Sequence, residues 1–123
     1  MRLDLHGQLI SEITVGFEGI LTTNRDSEIR IGGDFYLVES QDELENTKKL
    51  GEESFAFLEK LRGAVIDEVT VDKTGQLSMS FSDGRRLIAV PDRHYESWEI
   101  NLPNGEKYIC MPGGEIATMG AIR

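Results

Sequence analysis

Two side chains of this protein are of the types that enzymes use as general bases and nucleophiles. His94 has carboxylates beside it in the chain, and such a histidine can accept a proton during catalysis. Cys110 is the single cysteine, and a cysteine activated by a histidine forms a nucleophilic pair. However, the charged loop after Pro91 would leave His94 solvated, and residues 108–111 form an apolar strand in which Cys110 is a small buried hydrophobe. We therefore predict no catalytic residue and no enzymatic activity.

The sequence also predicts no metal and no cofactor. Asp42, Glu43 and Glu45 form an acidic run that lacks the spacing and the glycine of a calcium-binding loop. Two histidines and one cysteine do not make a tetrahedral zinc site. Residues 112–114 are not a phosphate cradle, because no Lys followed by Ser or Thr comes after them. Their two glycines are better explained by a backbone turn or by close packing.

Tyr95 and Trp98 are the aromatic pair that most suggests an interaction site. They are three residues apart, so they cannot share one face of a strand unless a bulge intervenes. One of them is therefore expected on the surface, where an aromatic ring beside Glu96 and Glu99 would make a hot spot for a protein partner. The alternative is that Trp98 anchors the core.

The formal net charge of −9 favours a basic protein partner. Nucleic-acid backbones and anionic membranes would be repelled over most of such a surface. The acids concentrate in a connector around residues 39–53, although acidity can also serve solubility alone. The predicted partner-binding residues are Asp42, Glu43, Glu45, Glu52, Glu53, Tyr95, Glu96 and Trp98.

A cytosolic location is expected for this chain. The single cysteine allows no internal disulfide, which fits a reducing compartment. The first residues lack the apolar run of a signal peptide. No stretch approaches the roughly 20 apolar residues of a membrane span.

The elements that must position these residues repeat along the chain. Residues 5–15 match residues 61–71 without a gap, 56 positions later, and Gly19 and Leu21 then fall on Gly75 and Leu77. A period this long predicts one supersecondary unit used twice. We expect one domain over residues 1–123, with repeat one at about 3–38, an acidic connector and helix at 39–62, and repeat two at about 61–119.

Short antiparallel strands are predicted within each repeat. Ile13, Val15 and Phe17 alternate with polar residues or glycine, as on a half-buried strand, and residues 95–102 form a strand of the second repeat. The dipeptides at 83–84 and 104–105, Asp-Gly and Asn-Gly, indicate tight hairpins. An apolar stripe predicts a helix over residues 52–61 that Gly63 ends. The predicted fold class is α+β, mostly antiparallel β, with two pseudo-symmetric repeats and one connecting helix.

The second repeat carries a string of motifs that resembles a family. Phe81-Ser82-Asp83-Gly84 is followed by Tyr95-Glu96-Ser97-Trp98, then Asn104-Gly105, then Pro112-Gly113-Gly114-Glu115. This order is similar to that of a family of short, uncharacterised bacterial proteins with F-S-D-G, Y-E-x-W, D/N-G and P-G-G-E after a weaker first copy. The family commonly has an aromatic after P-G-G-E, where this chain has Ala117, Thr118 and Met119. The resemblance implies a bacterial origin and carries no catalytic residue.

Three functions remain open on the sequence. We favour a small protein-binding module, such as an immunity protein that neutralises a cognate toxin, because many toxins that attack nucleic acid are basic. A small-molecule binder with a pocket between the repeats is the first alternative. A self-associating scaffold, down to a simple homodimer formed through open strand edges, is the second.

Overall fold

The computed structural model describes residues 1–39 and 52–120, and the side chains of the connecting helix from Phe55 onward. These residues form eleven strands and one 3₁₀ helix, Glu52–Leu61. The strands are β1 (Arg2–Leu3), β2 (Ile10–Val15), β3 (Gly19–Thr23), β4 (Glu28–Ile31), β5 (Phe35–Val38), β6 (Ile66–Val71), β7 (Leu77–Phe81), β8 (Arg86–Ala89), β9 (Trp98–Asn101), β10 (Lys107–Cys110) and β11 (Ile116–Met119).

Two antiparallel sheets bury their apolar faces together. The first has five strands in the order β1-β6-β7-β8-β5, and the second has six in the order β11-β10-β9-β4-β3-β2. Alternate residues of most strands are buried, as one-sided burial requires. The structure is therefore β-rich with a single short helix, as the sequence predicts. In the six-stranded sheet, the β2–β3 and β10–β11 turns lie at one end, and the β3–β4 and β9–β10 turns lie at the other.

Both sheets combine strands from the two halves of the chain, since the five-stranded sheet includes β1 and β5 of the first half and the six-stranded sheet has three strands from each half. β5 leaves the neighbourhood of β4 and pairs with β8, with Phe35 opposite Ala89. β9 in turn leaves β8 and pairs with β4, with Ile31 opposite Trp98. The two crossovers, at residues 32–34 and 90–97, tie the sheets together, so neither sheet is built from one half of the chain alone.

The two halves also join through their backbones where β2 and β6 begin. Gly7 N donates to Ile66 O and Gly63 N donates to Ile10 O, each at 2.8 Å. Two further bonds of 2.8 Å run from Ile66 N to Gln8 O and from Ile10 N to Ala64 O. Backbone groups that would otherwise be unpaired near the core are satisfied here.

The helix closes the core beside β2 and β3. Its bounds are those that the apolar stripe predicts, and Gly63 follows it with a positive φ of 84°. Phe55 stacks on Phe35 of the five-stranded sheet, with ring centroids 5.8 Å apart. A Cβ at Gly19 would lie 2.2 Å from Leu58 Cδ1, so the absence of a side chain there lets the helix approach β3.

The predicted burial of Phe17 is wrong. β2 ends at Val15, and Phe17 lies in the turn that follows, with 98% of its surface exposed. Val15 is also 39% exposed. The cause is the early end of the strand, because Val15 pairs with Gly19 and residues 16–18 form a turn that carries Phe17 off the sheet.

Gly19 and Gly75 match in the sequence but do not occupy equivalent places in the structure. Gly19 pairs with Val15, which leaves residues 16–18 in the turn. Leu77 pairs with Val71, which leaves residues 72–76, two more, and places Gly75 within the turn. Similarly, the predicted strand 95–102 is shorter, and Tyr95 lies in the loop before β9.

A close approach of two turns holds the sheets together at one end. A Cβ at Gly75 would lie 2.2 Å from Gly114 O, and one at Gly114 would lie 2.1 Å from Thr74 O. Both glycines have positive φ. Gly114 thus allows close packing, whereas Gly113 meets no atom within 4 Å and serves the turn through its positive φ, so the two glycines fit the two predicted explanations.

We expect Gly75→Ala to destabilise the protein far more than Gly84→Ala. Both glycines have a φ near +94°, but a Cβ at Gly84 meets no atom within 4 Å. Gly84→Ala should therefore cost only the left-handed backbone strain, about 1–2 kcal/mol, whereas Gly75→Ala adds a backbone clash. Urea unfolding of the two variants measures the difference. Equal losses of stability would contradict this packing role.

The side chain of Arg85 connects the β7–β8 turn to the end of the helix. Arg85 donates from Nε to Asp83 Oδ2 at 2.9 Å and from a terminal nitrogen to the Lys60 carbonyl oxygen at 2.6 Å. The side-chain hydrogen bond from Arg85, together with a backbone bond from the same residue, lowers the pKa of Asp83 below its usual value.

Asp83→Asn should reduce the acid sensitivity of folding. Because the pKa of Asp83 is lowered on folding, its stabilisation is present above the unfolded-state pKa, near 3.8, and is lost as the pH falls through the lower folded value. The variant should be less stable than the parent at neutral pH, and the difference should shrink as the pH falls through the lowered pKa and the Asp83 carboxyl of the parent becomes protonated in the folded state too. Thermal midpoints across this range test the expectation, and a stability difference independent of pH would refute it.

Candidate functional site

The residues with catalytic potential are kept apart by burial. His94 is exposed in the loop before β9, where Asp92 Oδ1 accepts the backbone amide of His94 at 2.7 Å. Cys110 is fully buried, and its Sγ lies 3.5 Å from Gly75 O. Burial raises the pKa of the Cys110 thiol, which favours the unreactive protonated form. The structure therefore does not assemble a cysteine–histidine pair.

Trp98 is a core residue. It is 1% exposed, and its indole Nε1 donates to Gly75 O at 2.9 Å. The carbonyl oxygen of Gly75 therefore accepts hydrogen bonds from both Trp98 and Cys110. Gly75 is also the residue that lies against Gly114. The predicted partner-binding role of Trp98 is corrected accordingly, because a side chain buried on all sides offers no surface to a partner.

Tyr95 and Glu96, in contrast, are exposed where the sequence predicts a contact surface. Tyr95 is 50% exposed in the loop that leads into β9. Of the pair three residues apart, one aromatic is thus on the surface and the other is in the core, as their spacing predicts. The loop reaches this position because the amides of Gly32 and Gly33 donate to Ser97 O at 2.8 and 3.1 Å.

Phe17 and Glu18 lie next to this loop, at the same end of the six-stranded sheet. A methyl group on Gly32 would lie 3.7 Å from the backbone oxygen of Glu96 and 4.0 Å from Glu18 Oε1, and the three residues line one small groove. We call Phe17, Glu18, Tyr95 and Glu96 the aromatic–acidic surface. Aromatic side chains are enriched at protein interfaces, and carboxylates beside them would attract positive charge.

Charge on the adjoining sheet face extends the acidic character of this surface. Arg30 bridges Glu18 at 2.7 Å and Glu28 at 3.0 Å, and the hydrogen bond that Arg30 Nε donates to Glu28 contributes most to raising the pKa of Arg30. A shallow groove of about 330 Å³ runs from there, and its other lining residues are Glu99, Asn101 and Lys107. Three carboxylates against two cations in this groove favour a partner with a positive charge.

The other exposed aromatic ring of the described residues is partly covered. Phe57 lies on the outer face of the helix, where Lys60 Nζ sits 5.4 Å from the centroid of its ring. Phe17 is the residue that sequence reasoning missed. The signal that could have found it is the pair of turn residues Glu18 and Gly19 directly after it, which end the strand pattern early.

The remaining predicted contact residues are placed as follows. Asp42, Glu43 and Glu45 lie outside the described residues. Glu52 and Glu53 begin the 3₁₀ helix, and their carboxylates also lie outside what the structure describes. Within residues 1–39 and 52–120, no three His, Cys, Asp or Glu side chains are grouped so that they could hold a metal ion. No helix in the same ranges is long and apolar enough to span a membrane.

Comparison with known families places the chain. A family model described as a family of unknown function, DUF6188, matches residues 1–120. The chain belongs to the DUF6188 family. This agrees with the predicted membership of an uncharacterised family. The comparisons found no matching curated protein and no matching solved structure.

For this DUF6188 protein, Cys110 should react with iodoacetamide only after unfolding. The buried thiol with its raised pKa is both inaccessible and protonated in the folded chain. Mass spectrometry of samples labelled with and without urea should show slow labelling in the native state and complete labelling in the denatured state. Rapid native labelling would point to a reactive thiol and reopen the catalytic reading.

Proposed function

We propose that this DUF6188 protein is a protein-binding module that uses the aromatic–acidic surface to hold a basic protein. The observation that carries the proposal is the exposure of Phe17, which is 98% and lies beside Glu18 at the tip of a turn. A large apolar ring in water is unfavourable, and contact with a partner would remove it from water.

The contrast with the β6–β7 turn supports this reading. Residues 72–76 of that turn pack against Gly114 of the β10–β11 turn, so Gly75 is buried. The β2–β3 turn carries Phe17 into solvent instead. In this turn Glu18 forms an ion pair with Arg30, and the ring of Phe17 stays accessible.

The charge of the whole chain indicates the chemistry of the partner. The net charge of −9 and the acidic groove beside Glu18 favour a basic surface, and aromatic rings at its centre would supply affinity. A bacterial, cytoplasmic immunity protein that binds a basic toxin is the form of this function that we favour. The acidic connector, with Asp42, Glu43, Glu45, Glu52 and Glu53, would add steering charge.

We also propose that the two halves are pseudo-symmetric copies of one unit. The reciprocal backbone hydrogen bonds between the halves support this. Gly7 donates to Ile66, and Gly63, which is 56 residues after Gly7, donates to Ile10, which is 56 residues before Ile66. The register irregularities between Ile10 and Glu12 and between Ile66 and Glu68 are related in the same way.

The β3–β4 and β7–β8 turns add further support to the proposed repeat. Asp26 and Gly84 both have a positive φ, of 67° and 94°, and occupy corresponding places in the two turns. The amide of Asp26 donates to the carbonyl of Thr23 at the end of β3, and the amide of Gly84 donates to the carbonyl of Phe81 at the end of β7. A non-glycine residue in this conformation is uncommon, and the correspondence explains why Asp26 adopts it.

Phe17→Ser should abolish partner capture without lowering stability. Affinity-tagged parent protein, Phe17→Ser and the control Met119→Ser are used as baits in lysate of the organism that encodes the protein, at low and at about 1 M salt. Met119 is also exposed and lies at the opposite end of the sheet. We expect a basic protein in near-equal amount with the parent and the control, less at high salt, and none with Phe17→Ser.

Two outcomes would count against the proposal. Capture that survives the loss of Phe17 would place the contact elsewhere on the protein. If no protein is retained and the parent elutes as a clean homodimer in size-exclusion chromatography with light scattering, the self-associating scaffold becomes the better reading.

A further inference from the structure

A second concave site lies at the opposite end of the six-stranded sheet. The β3–β4 and β9–β10 turns and the segment after β1 enclose a cleft of about 390 Å³. This volume is at the lower end of the range for small-molecule pockets. Residues from both halves of the chain line the cleft, and the polar ones are Asp4, Gln8, Ser27, Asn104, Glu106 and Tyr108.

Ser27 is the unusual member of this lining. It is fully buried, and its Oγ has no hydrogen-bond partner among the described residues. The neighbouring polar groups do not supply one, because Thr23 Oγ1 donates to Gln8 Oε1 at 2.6 Å. A buried hydroxyl without a partner destabilises a fold, and a bound molecule that hydrogen-bonds to it would remove that cost.

The charge of the cleft selects the sign of a ligand. Asp4 and Glu106 are the acids of the lining, and no lysine, arginine or histidine in the described part of the chain lines it. Tyr108 donates its hydroxyl to Glu106 Oε1 at 3.3 Å. Leu3, Leu102 and Pro103 supply apolar contact. A positively charged group would therefore be attracted, and an anion would be repelled.

We propose that this cleft binds a small organic amine whose ammonium group faces Asp4 and Glu106 and whose second polar group hydrogen-bonds to Ser27. The apolar lining suits a ligand with a hydrocarbon or aromatic middle, of about ten non-hydrogen atoms. The site lies at the other end of the sheet from Phe17, so it stands or falls independently of the proposed protein partner.

The test uses three probes that share a phenol ring and differ in charge: tyramine, tyrosol and para-hydroxyphenylacetate. Each is titrated into the isotope-labelled full chain, and amide chemical shifts are followed by NMR. We expect tyramine to give saturable shifts centred on Asp4, Ser27 and Glu106, with weaker shifts from tyrosol and none from the anion. No saturable shifts from tyramine, or equal shifts from all three probes, would overturn the proposal.

Variants separate binding from structure. Ser27→Ala should weaken tyramine binding about fivefold while leaving the urea midpoint unchanged or raised, because the unpartnered hydroxyl is removed. Glu106→Gln should weaken tyramine but not tyrosol. Ser82→Ala, an exposed serine of the β7–β8 turn, is the matched control and should change neither quantity. Phe17→Ser should bind tyramine like the parent.

One pattern of results would refute the role given to Ser27. If Ser27→Ala lowers the urea midpoint and leaves tyramine affinity as it was, the hydroxyl supports the turn and is not a ligand contact. The site would then be wrong as assigned, whatever the pull-down with Phe17→Ser shows.

Discussion

The pairings of β4 with β9 and of β5 with β8 are the interactions on which the rest of this structure depends. Through them strands from the two halves of the chain join in both sheets. Phe35 and Trp98 begin the two exchanged strands, and both are almost completely buried between the sheets. The core, the crossovers and the loop that presents Tyr95 all follow from this exchange, because hydrogen bonds between strands fix where each crossover must run.

The motifs of the second half act mainly through packing. Gly114 lies against the turn that contains Gly75, and the carbonyl oxygen of Gly75 accepts a hydrogen bond from Trp98. Asp83 forms an ion pair with Arg85, which also donates to the carbonyl oxygen of Lys60 at the end of the helix. Residues that look suited to chemistry in the sequence are thus used to join the two sheets. The proposed aromatic–acidic surface joins Tyr95 and Glu96 of the second half to the first-half turn that carries Phe17, whose ring is 98% exposed among the described residues.

Local structure could be predicted from the sequence, but the positions of the candidate sites could not. The helix at 52–61 and the hairpin turns at 83–84 and 104–105 follow from an apolar stripe and from dipeptides with strong turn preference. Phe17 is misplaced because the alternation of apolar residues continues past Val15, where the strand ends. The exchange of strands and the cleft at Ser27 depend on pairing between distant residues, about which residue periodicity carries no information.

The strand exchange also sets the order in which this chain can finish folding on the ribosome. Glu28 of β4 and Asn101 of β9 are 73 residues apart, so β4 emerges long before its neighbour has been synthesised. At about 5–20 residues per second, that interval lasts on the order of 4 to 15 seconds. During it the edge of β4 is open to pairing with other chains. Each nascent chain must therefore survive an aggregation-prone interval whose length is set by topology and translation speed.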